Sequence, residues 1–168
     1  LNVSTWTAET PELYTLVLSL KNGEEIMQCL RHNIGFKTVK IDGEKFFFNS
    51  KLIKFKGVNH HDTHEKTGYV MCGEDLLKDV LLMKKLNVNA VRTSHYPPDP
   101  ILLYLCDEYG LYVIDEADIE THGTQNDESL KPTLKPNIIS NGNAWLPRYD
   151  DRVMRMYERD KSHPSITM

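Results

Sequence analysis

A strand-like alternation of apolar and polar residues runs through Leu13-Tyr14-Thr15-Leu16-Val17-Leu18-Ser19-Leu20, breaks at Asn22-Gly23, and resumes over Ile26-Met27-Gln28-Cys29-Leu30. Two such runs joined by Asn-Gly predict a β-hairpin. Val39-Lys40-Ile41, Asp42-Gly43 and Phe46-Phe47-Phe48 repeat the signature on a smaller scale. Beyond about residue 50 the period changes. A strand is predicted over 53–59, then a helix over 74–86 with Leu77, Val80, Leu81 and Lys84 at helical spacing. A strand over 88–92 leads to a helix over 99–109, opened by prolines and closed by Gly110, and then to a strand over 111–115. A loop rich in Asn, Pro, Gly and Ser runs from about Glu120 to Pro147, long enough to shape a pocket. Val153, Met156, Tyr157 and Asp160 form one stripe of a helix over 150–161, and Ser165-Ile166 opens a fourth strand.

Strands that alternate with helices build a parallel sheet, either open and doubly wound or closed into a (β/α)8 barrel. No GxGxxG or GxxxxGK[ST] follows a predicted strand, so the nucleotide-binding open sheet lacks its fingerprint. Polar residues instead gather at each strand's C-terminal end: Asn59-His60-His61, Arg92-Thr93-Ser94-His95 and Asp115-Glu116-Ala117-Asp118. Barrel enzymes build their sites there. The expected fold class is α/β. Residues 38–168 supply the first three βα units of a (β/α)8 TIM barrel, truncated at the fourth strand. Residues 1–37 supply the end of a β-sandwich, because a lone hairpin is marginally stable.

The chain has 168 residues and a formal net charge of −4, which leaves no basic face for nucleic acid. No apolar run reaches the length of a membrane span, and no secretory signal opens the chain. Cys29, Cys72 and Cys106 fit neither a disulfide framework nor a CxxC metal site, and are expected to be buried reduced thiols of a cytoplasmic protein. Leu1 is not a Met, and Ile166-Thr167-Met168 stops inside a strand pattern, so the expectation is an internal piece of a longer protein.

Glu120 and His122, two apart in an extended segment, point the same way and bring a carboxylate to an imidazole. That pair suits Mg2+ or Mn2+, or else a hydrogen bond that holds the loop. His61 and His95 each follow a barrel strand, so both could face one pocket and bond sugar hydroxyls, or each could cap a strand end. The cluster His60, His61 and His64 is not HExxH and reads as polar loop rather than a zinc site. Arg92 needs an anion, either a catalytic carboxylate or a structural partner in Asp115 or Glu116. No Ser lies in GxSxG.

Asn89-Ala90-Val91-Arg92-Thr93-Ser94-His95-Tyr96-Pro97, continuing through Leu105-Cys106-Asp107-Glu108-Tyr109-Gly110-Leu111-Tyr112-Val113-Ile114, resembles the first signature of the family 2 glycoside hydrolases. The run from Trp6 to Leu16 resembles the last strands of that family's immunoglobulin-like domain. Gly35-Phe36-Lys37 and Phe55-Lys56-Gly57-Val58-Asn59 resemble its entry into the barrel. Asp115-Glu116-Ala117-Asp118-Ile119-Glu120-Thr121-His122-Gly123 is similar to the β-galactosidase branch; the β-glucuronidase branch reads differently after the shared Asp-Glu.

The resemblance implies retaining hydrolysis of terminal β-D-galactosides through a covalent glycosyl-enzyme. It implies Mg2+ (or Mn2+) at Glu120 and His122, galactose contacts from His61, His95 and Asn59, and Arg92 beside the nucleophile. Asp115 and Glu116 face opposite ways as strand neighbours, so they cannot be the carboxyl pair about 5–5.5 Å apart that retention requires, and structural roles are expected for them and Asp118. Asp160-Lys161-Ser162-His163-Pro164-Ser165-Ile166 resembles the start of the second signature, with Ser162 where Asn is common and Thr167 interrupting the apolar run. The acid/base and nucleophile Glu are expected beyond residue 168, so the chain alone is expected to be inactive. Its expected partners are the remaining segments of a parent that is itself a homo-oligomer. Two other readings stay open: a non-catalytic carbohydrate-binding or complementation piece, and a family 2 β-glucuronidase or β-mannosidase.

Overall fold

The structure, a computed structural model, describes residues 2–122 and 144–168. Most of the predicted loop over 120–147, with Gly123 of the quoted motif, lies outside the described residues. The N-terminal hairpin pairs β1 (Tyr14–Asn22) with β2 (Glu25–Ile34), and Gly23 takes the positive φ, 62°, that the Asn-Gly turn requires. An antiparallel three-stranded sheet follows: β3 (Val39–Asp42), β4 (Lys45–Phe48) and β5 (Lys51–Leu52). The hairpin carries little core of its own; Val17, Leu18, Leu20, Ile26, Met27 and Leu30 are each at least 55% exposed.

The rest is a βα succession: β6 (Gly57–His60), α1 (Gly73–Lys85), β7 (Ala90–Thr93), α2 (Pro100–Tyr109), β8 (Tyr112–Ile114) and α3 (Leu146–Asp160). β6, β7 and β8 lie side by side in chain order, all parallel. The predicted fourth strand begins as expected: Ile166 bridges Val113 in parallel, with Val113 N donating to Ser165 O (2.9 Å) and Thr167 N to Val113 O (2.8 Å). Among the described residues no helix is long and apolar enough to cross a membrane.

Local chemistry sets α2. The Asp99 carboxylate accepts from Ile101 N, Pro100 occupies the first turn, and Gly110 ends the helix at φ 77°. Three elements differ from expectation. The strand expected over 53–59 shrinks to β6, because the side chain of Asn89 holds the backbone before it, accepting from Lys56 N (2.7 Å) and donating to Lys54 O (3.0 Å). Helix α1 buries Leu76, Val80 and Met83, while Leu81 stays 46% exposed. Both stripes have helical spacing, and packing against α2 and the sheet selects the one that is a residue earlier. Helix α3 starts at Leu146 rather than near 150, with proline in its first turn, and of its residues only Asp160 is buried.

Period-two alternation gives the parallel sheet two cores. Val91 and Val113 face the helices and pack with Leu76, Val80, Leu102, Leu103, Cys106 and Leu111. Ala90 and Tyr112 turn the other way, against Trp6, Ala8 and Phe48. Trp6 is fully buried, edge-on to Phe48 and Tyr112 with ring centroids 5.9 Å from each, and its Nε1 donates to Asp107 O in the last turn of α2 (2.8 Å). Asp107 also anchors the C-terminal strand: its carboxylate meets His163 Nδ1 (2.5 Å) and Ser165 N (3.0 Å). Lys37 Nζ donates to the carbonyls of His163 (3.0 Å) and Ile166. Burial lowers the Lys37 pKa to about 8 against the pull of the Asp107 charge.

The cysteines depart from expectation. Cys106 is buried, and its desolvation drives the thiol pKa far up, but Cys29 and Cys72 are exposed. Cys29 lies on the open hairpin, and Cys72 precedes α1, where its Sγ donates to Asp75 Oδ2 (3.1 Å).

Candidate functional site

The C-terminal ends of β6, β7 and β8 sort their polar residues by face. Asn59, Arg92 and Ile114 are in register, so Asn59, Arg92 and Glu116 share one side of the sheet. Arg92 donates from Nη1 to Asn59 Oδ1 (3.3 Å), and its Nη2 lies 2.7 Å from Glu116 Oε2. The other Glu116 oxygen meets His95 Nδ1 at 2.9 Å, and Arg92 Nη2 lies 3.3 Å from the same ring nitrogen. One nitrogen cannot donate to Glu116 and accept from Arg92 at once. The shorter contact places the proton on Nδ1, directed at Glu116, and turns Nε2 toward Glu120 Oε1 at 3.8 Å.

His61 stands edge-on to His95 with ring centroids 5.4 Å apart, and Glu120 pairs directly with His122 Nδ1. Contacts therefore link Asn59, His61, Arg92, His95, Glu120 and His122 into one patch at the strand ends. Of the two anions considered for Arg92 within the chain, Glu116 is its partner and Asp115 is not.

The opposite face carries His60, Thr93 and Asp115. His60 closes β6 with its ring buried, Nε2 3.0 Å from Asp79 Oδ2 of α1 and Nδ1 3.5 Å from Asp62 Oδ1. It is a strand residue under a helix and not part of a polar loop; only His61 of that pair reaches the site face. Asp115 accepts from Thr93 Oγ1 (3.2 Å) and hydrogen-bonds Asp160, whose carboxylate is forked by Arg159 Nε (2.7 Å) and Nη2 (2.8 Å). Burial, then the charge of Asp160, raise the Asp115 pKa to about 7, while Thr93 and Arg159 pull it down.

Two features were missed in the sequence. Glu116, weighed as a structural partner of Arg92, also holds His95, and that second link had no signal. The early start of α3 also brings Trp145, Arg148 and Arg152 beside Asp118, Ile119 and Glu120 around a cavity of about 380 Å³. Arg152 Nη1 donates to Asp118 Oδ2 there (2.6 Å). With the helix expected to begin near 150, neither Trp145 nor Arg148 had a signal.

Glu120 and His122 offer a carboxylate oxygen and an imidazole nitrogen from side chains 35% and 69% exposed. This donor set fits a hydrated Mg2+ or Mn2+ as two corners of its shell. Among the described residues no group of three His, Cys, Asp or Glu is spaced to complete it.

The profile described as "Glycosyl hydrolases family 2, TIM barrel domain" matches residues 39–168, and that described as "Glycosyl hydrolases family 2" matches residues 1–37. The chain is 47% identical over 164 residues to a β-galactosidase of Halalkalibacterium halodurans, covering 96% of the chain and 16% of that protein. It is 43% identical over 167 residues to a β-galactosidase of Streptococcus thermophilus, covering 99% of the chain and 16% of that protein. The chain thus spans about a sixth of the length of these relatives. Among solved structures it superposes on a β-D-glucuronidase of Dictyoglomus thermophilum with a TM-score of 0.81 at 29% identity, covering 98% of the chain and 28% of that one. A β-glucuronidase of Bifidobacterium dentium complexed with coumarin-3-O-glucuronide gives a TM-score of 0.78 at 29% identity, covering 96% and 24%.

Proposed function

The chain belongs to family 2 of the glycosyl hydrolases, and from that premise we propose that it forms part of a retaining β-galactosidase, which cleaves terminal β-D-galactosides through a covalent glycosyl-enzyme. The observation that carries this reading is the convergence of Asn59, Arg92, His95, Glu116 and Glu120 at the C-terminal ends of parallel strands, where barrel enzymes bind and react. Galactoside is preferred over glucuronide because identity to the β-galactosidases is 47% and 43%, against 29% to the β-glucuronidase structures.

In this reading His61, His95 and Asn59 bind the sugar. Glu116 holds the His95 ring by Nδ1 and leaves Nε2 for a substrate hydroxyl. Arg92, fixed by Glu116 and Asn59, stands beside the nucleophile and holds its carboxylate ionised. Glu120 and His122 would hold Mg2+ or Mn2+, which would supply fixed positive charge to the site. The acid/base and the nucleophile come from residues beyond 168. Asp115 and Glu116 are not that pair, since they lie on opposite faces of the sheet. The same reading makes the hairpin part of an immunoglobulin-like sandwich and the protein a cytoplasmic homo-oligomer.

The test is turnover of p-nitrophenyl β-galactoside, β-glucuronide and β-mannoside by the full-length protein, before and after chelation of divalent metal. The galactoside should lead by about 100-fold or more, as for a site built to bond particular hydroxyls. Chelation should cut its turnover, Mg2+ should restore it, and the 168-residue chain alone should show none. Faster cleavage of the glucuronide overturns the reading.

A further inference from the structure

Beneath the patch, on the helix side of the sheet, lies an acidic pair for which the proposed reaction has no use. Asp115 is 8% exposed and Asp160 2%, and their carboxyl groups are hydrogen-bonded to each other. Two carboxyls in contact away from water cannot both be charged. Arg159 forks onto Asp160, which settles the negative charge there and leaves the shared proton on Asp115.

A protonated Asp115 donates to Asp160 and keeps Oδ1 free to accept from Thr93 Oγ1, 3.2 Å away. With its own proton committed to Asp115, the Thr93 hydroxyl offers its lone pairs to Glu116 N at 2.9 Å. Glu116 in turn grips Arg92 and His95 at 2.7 and 2.9 Å. Thr93 is therefore a bridge through the sheet, from the helix layer to the site layer.

We infer that Asp115 and Asp160, acting through the Thr93 hydroxyl, are positioning residues that orient Glu116 and, through it, Arg92 and His95. The inference deepens the proposed function and rests on it. The groups bearing on Asp115 are Asp160 and Arg159 from α3, Thr93 from β7, and the Met168 carbonyl of the C-terminal strand, which accepts from Asp115 N. As pH rises through about 7, Asp115 loses the proton that joins it to Asp160; it still accepts from Thr93, but a second buried charge beside Asp160 pushes the two carboxylates apart and drags the Thr93 bridge with them.

The experiment is the pH profile of kcat/KM on p-nitrophenyl β-galactoside for the full-length enzyme and its Asp115→Asn, Asp115→Ala, Thr93→Ser and Thr93→Val variants. An Asn amide donates to Asp160 and accepts from Thr93 as the neutral acid does. Asp115→Asn should therefore stay within about threefold of wild type at pH 6 and lose the decline above pH 7. Asp115→Ala and Thr93→Val should lose about tenfold or more, and Thr93→Ser should retain activity. The inference is overturned if Asp115→Asn is as damaging as Asp115→Ala, or if it keeps the wild-type alkaline decline. The Asn profile decides alone should the Ala and Val variants fail to fold. If wild type cleaves no glycoside, the proposed function fails separately. The crystal structure of Thr93→Val then decides: a shifted Glu116–Arg92 pair supports the relay, and an unmoved pair refutes it.

Discussion

Replacing Trp6 tests whether the segment before the hairpin is a structural part of the barrel portion. Truncating a buried Trp to Ala costs about 3–5 kcal/mol, transfer and cavity together. Within that figure the two edge-on contacts, to Phe48 and Tyr112, account for about 0.5–1.5 kcal/mol each. Trp6→Phe keeps a ring against both neighbours and removes the Nε1 donor together with part of the indole volume. Its acceptor, the Asp107 carbonyl, sits in the last turn of α2, where helical N–H partners run out. Leaving that carbonyl dry and unpaired costs about 1–3 kcal/mol. The expected order is thus about 2 kcal/mol lost in Trp6→Phe and about 4–5 in Trp6→Ala. Urea unfolding followed by far-ultraviolet circular dichroism reads both as shifts of midpoint at constant slope. A Trp6→Phe variant within about 0.5 kcal/mol of wild type, or one as damaged as Trp6→Ala, would refute the reasoning.

Gly110→Ala should cost about 2–4 kcal/mol in thermal unfolding, because φ is +77° and the added Cβ would lie 2.3 Å from Ala8 O, a backbone atom; a loss below about 1 kcal/mol means that Ala8 can move aside. Stability should also vary with pH through Asp115. Its folded pKa is raised above the unfolded value, so the folded state binds the proton more tightly. That contribution is fully present below pH about 4 and is lost as pH climbs through about 7. Asp115→Asn should flatten this part of the profile, and an unchanged slope between those limits would remove Asp115 as its source.

What could be read in the sequence was what local chemistry fixes. Asn22-Gly23 can hardly be anything but a turn, and Asp99, Pro100 and Gly110 bound α2 with a cap, a ring and a left-handed stop. Strand order and polar strand ends then placed Asn59, His61, Arg92, His95, Glu120 and His122 in one neighbourhood. Features decided by distant partners were hidden. Leu76-Leu77 and Leu81-Leu82-Met83 give α1 more than one usable stripe, and only its neighbours select among them. Asp115-Glu116 read as a pair of structural acids, since which of them faces the site depends on the register of β8. The union of Asp107 with His163 and the descent of His60 onto Asp79 join residues with no common motif.

The hairpin leaves the molecule and returns to it at neighbouring points. Trp6 and Ala8 are buried under the parallel sheet before β1 begins, and Trp6 N donates to Phe36 O (2.9 Å) just after β2 ends. Next to Phe36, Gly35 lies against Pro164, and Lys37 reaches the carbonyls of His163 and Ile166. Both feet of the hairpin are thus clamped in the barrel portion. A unit held by one linker can swivel freely; one held at two feet can at most rock about the line between them. The β-arm is thus tied at both feet to the residues that lead into the strand opening at Ser165.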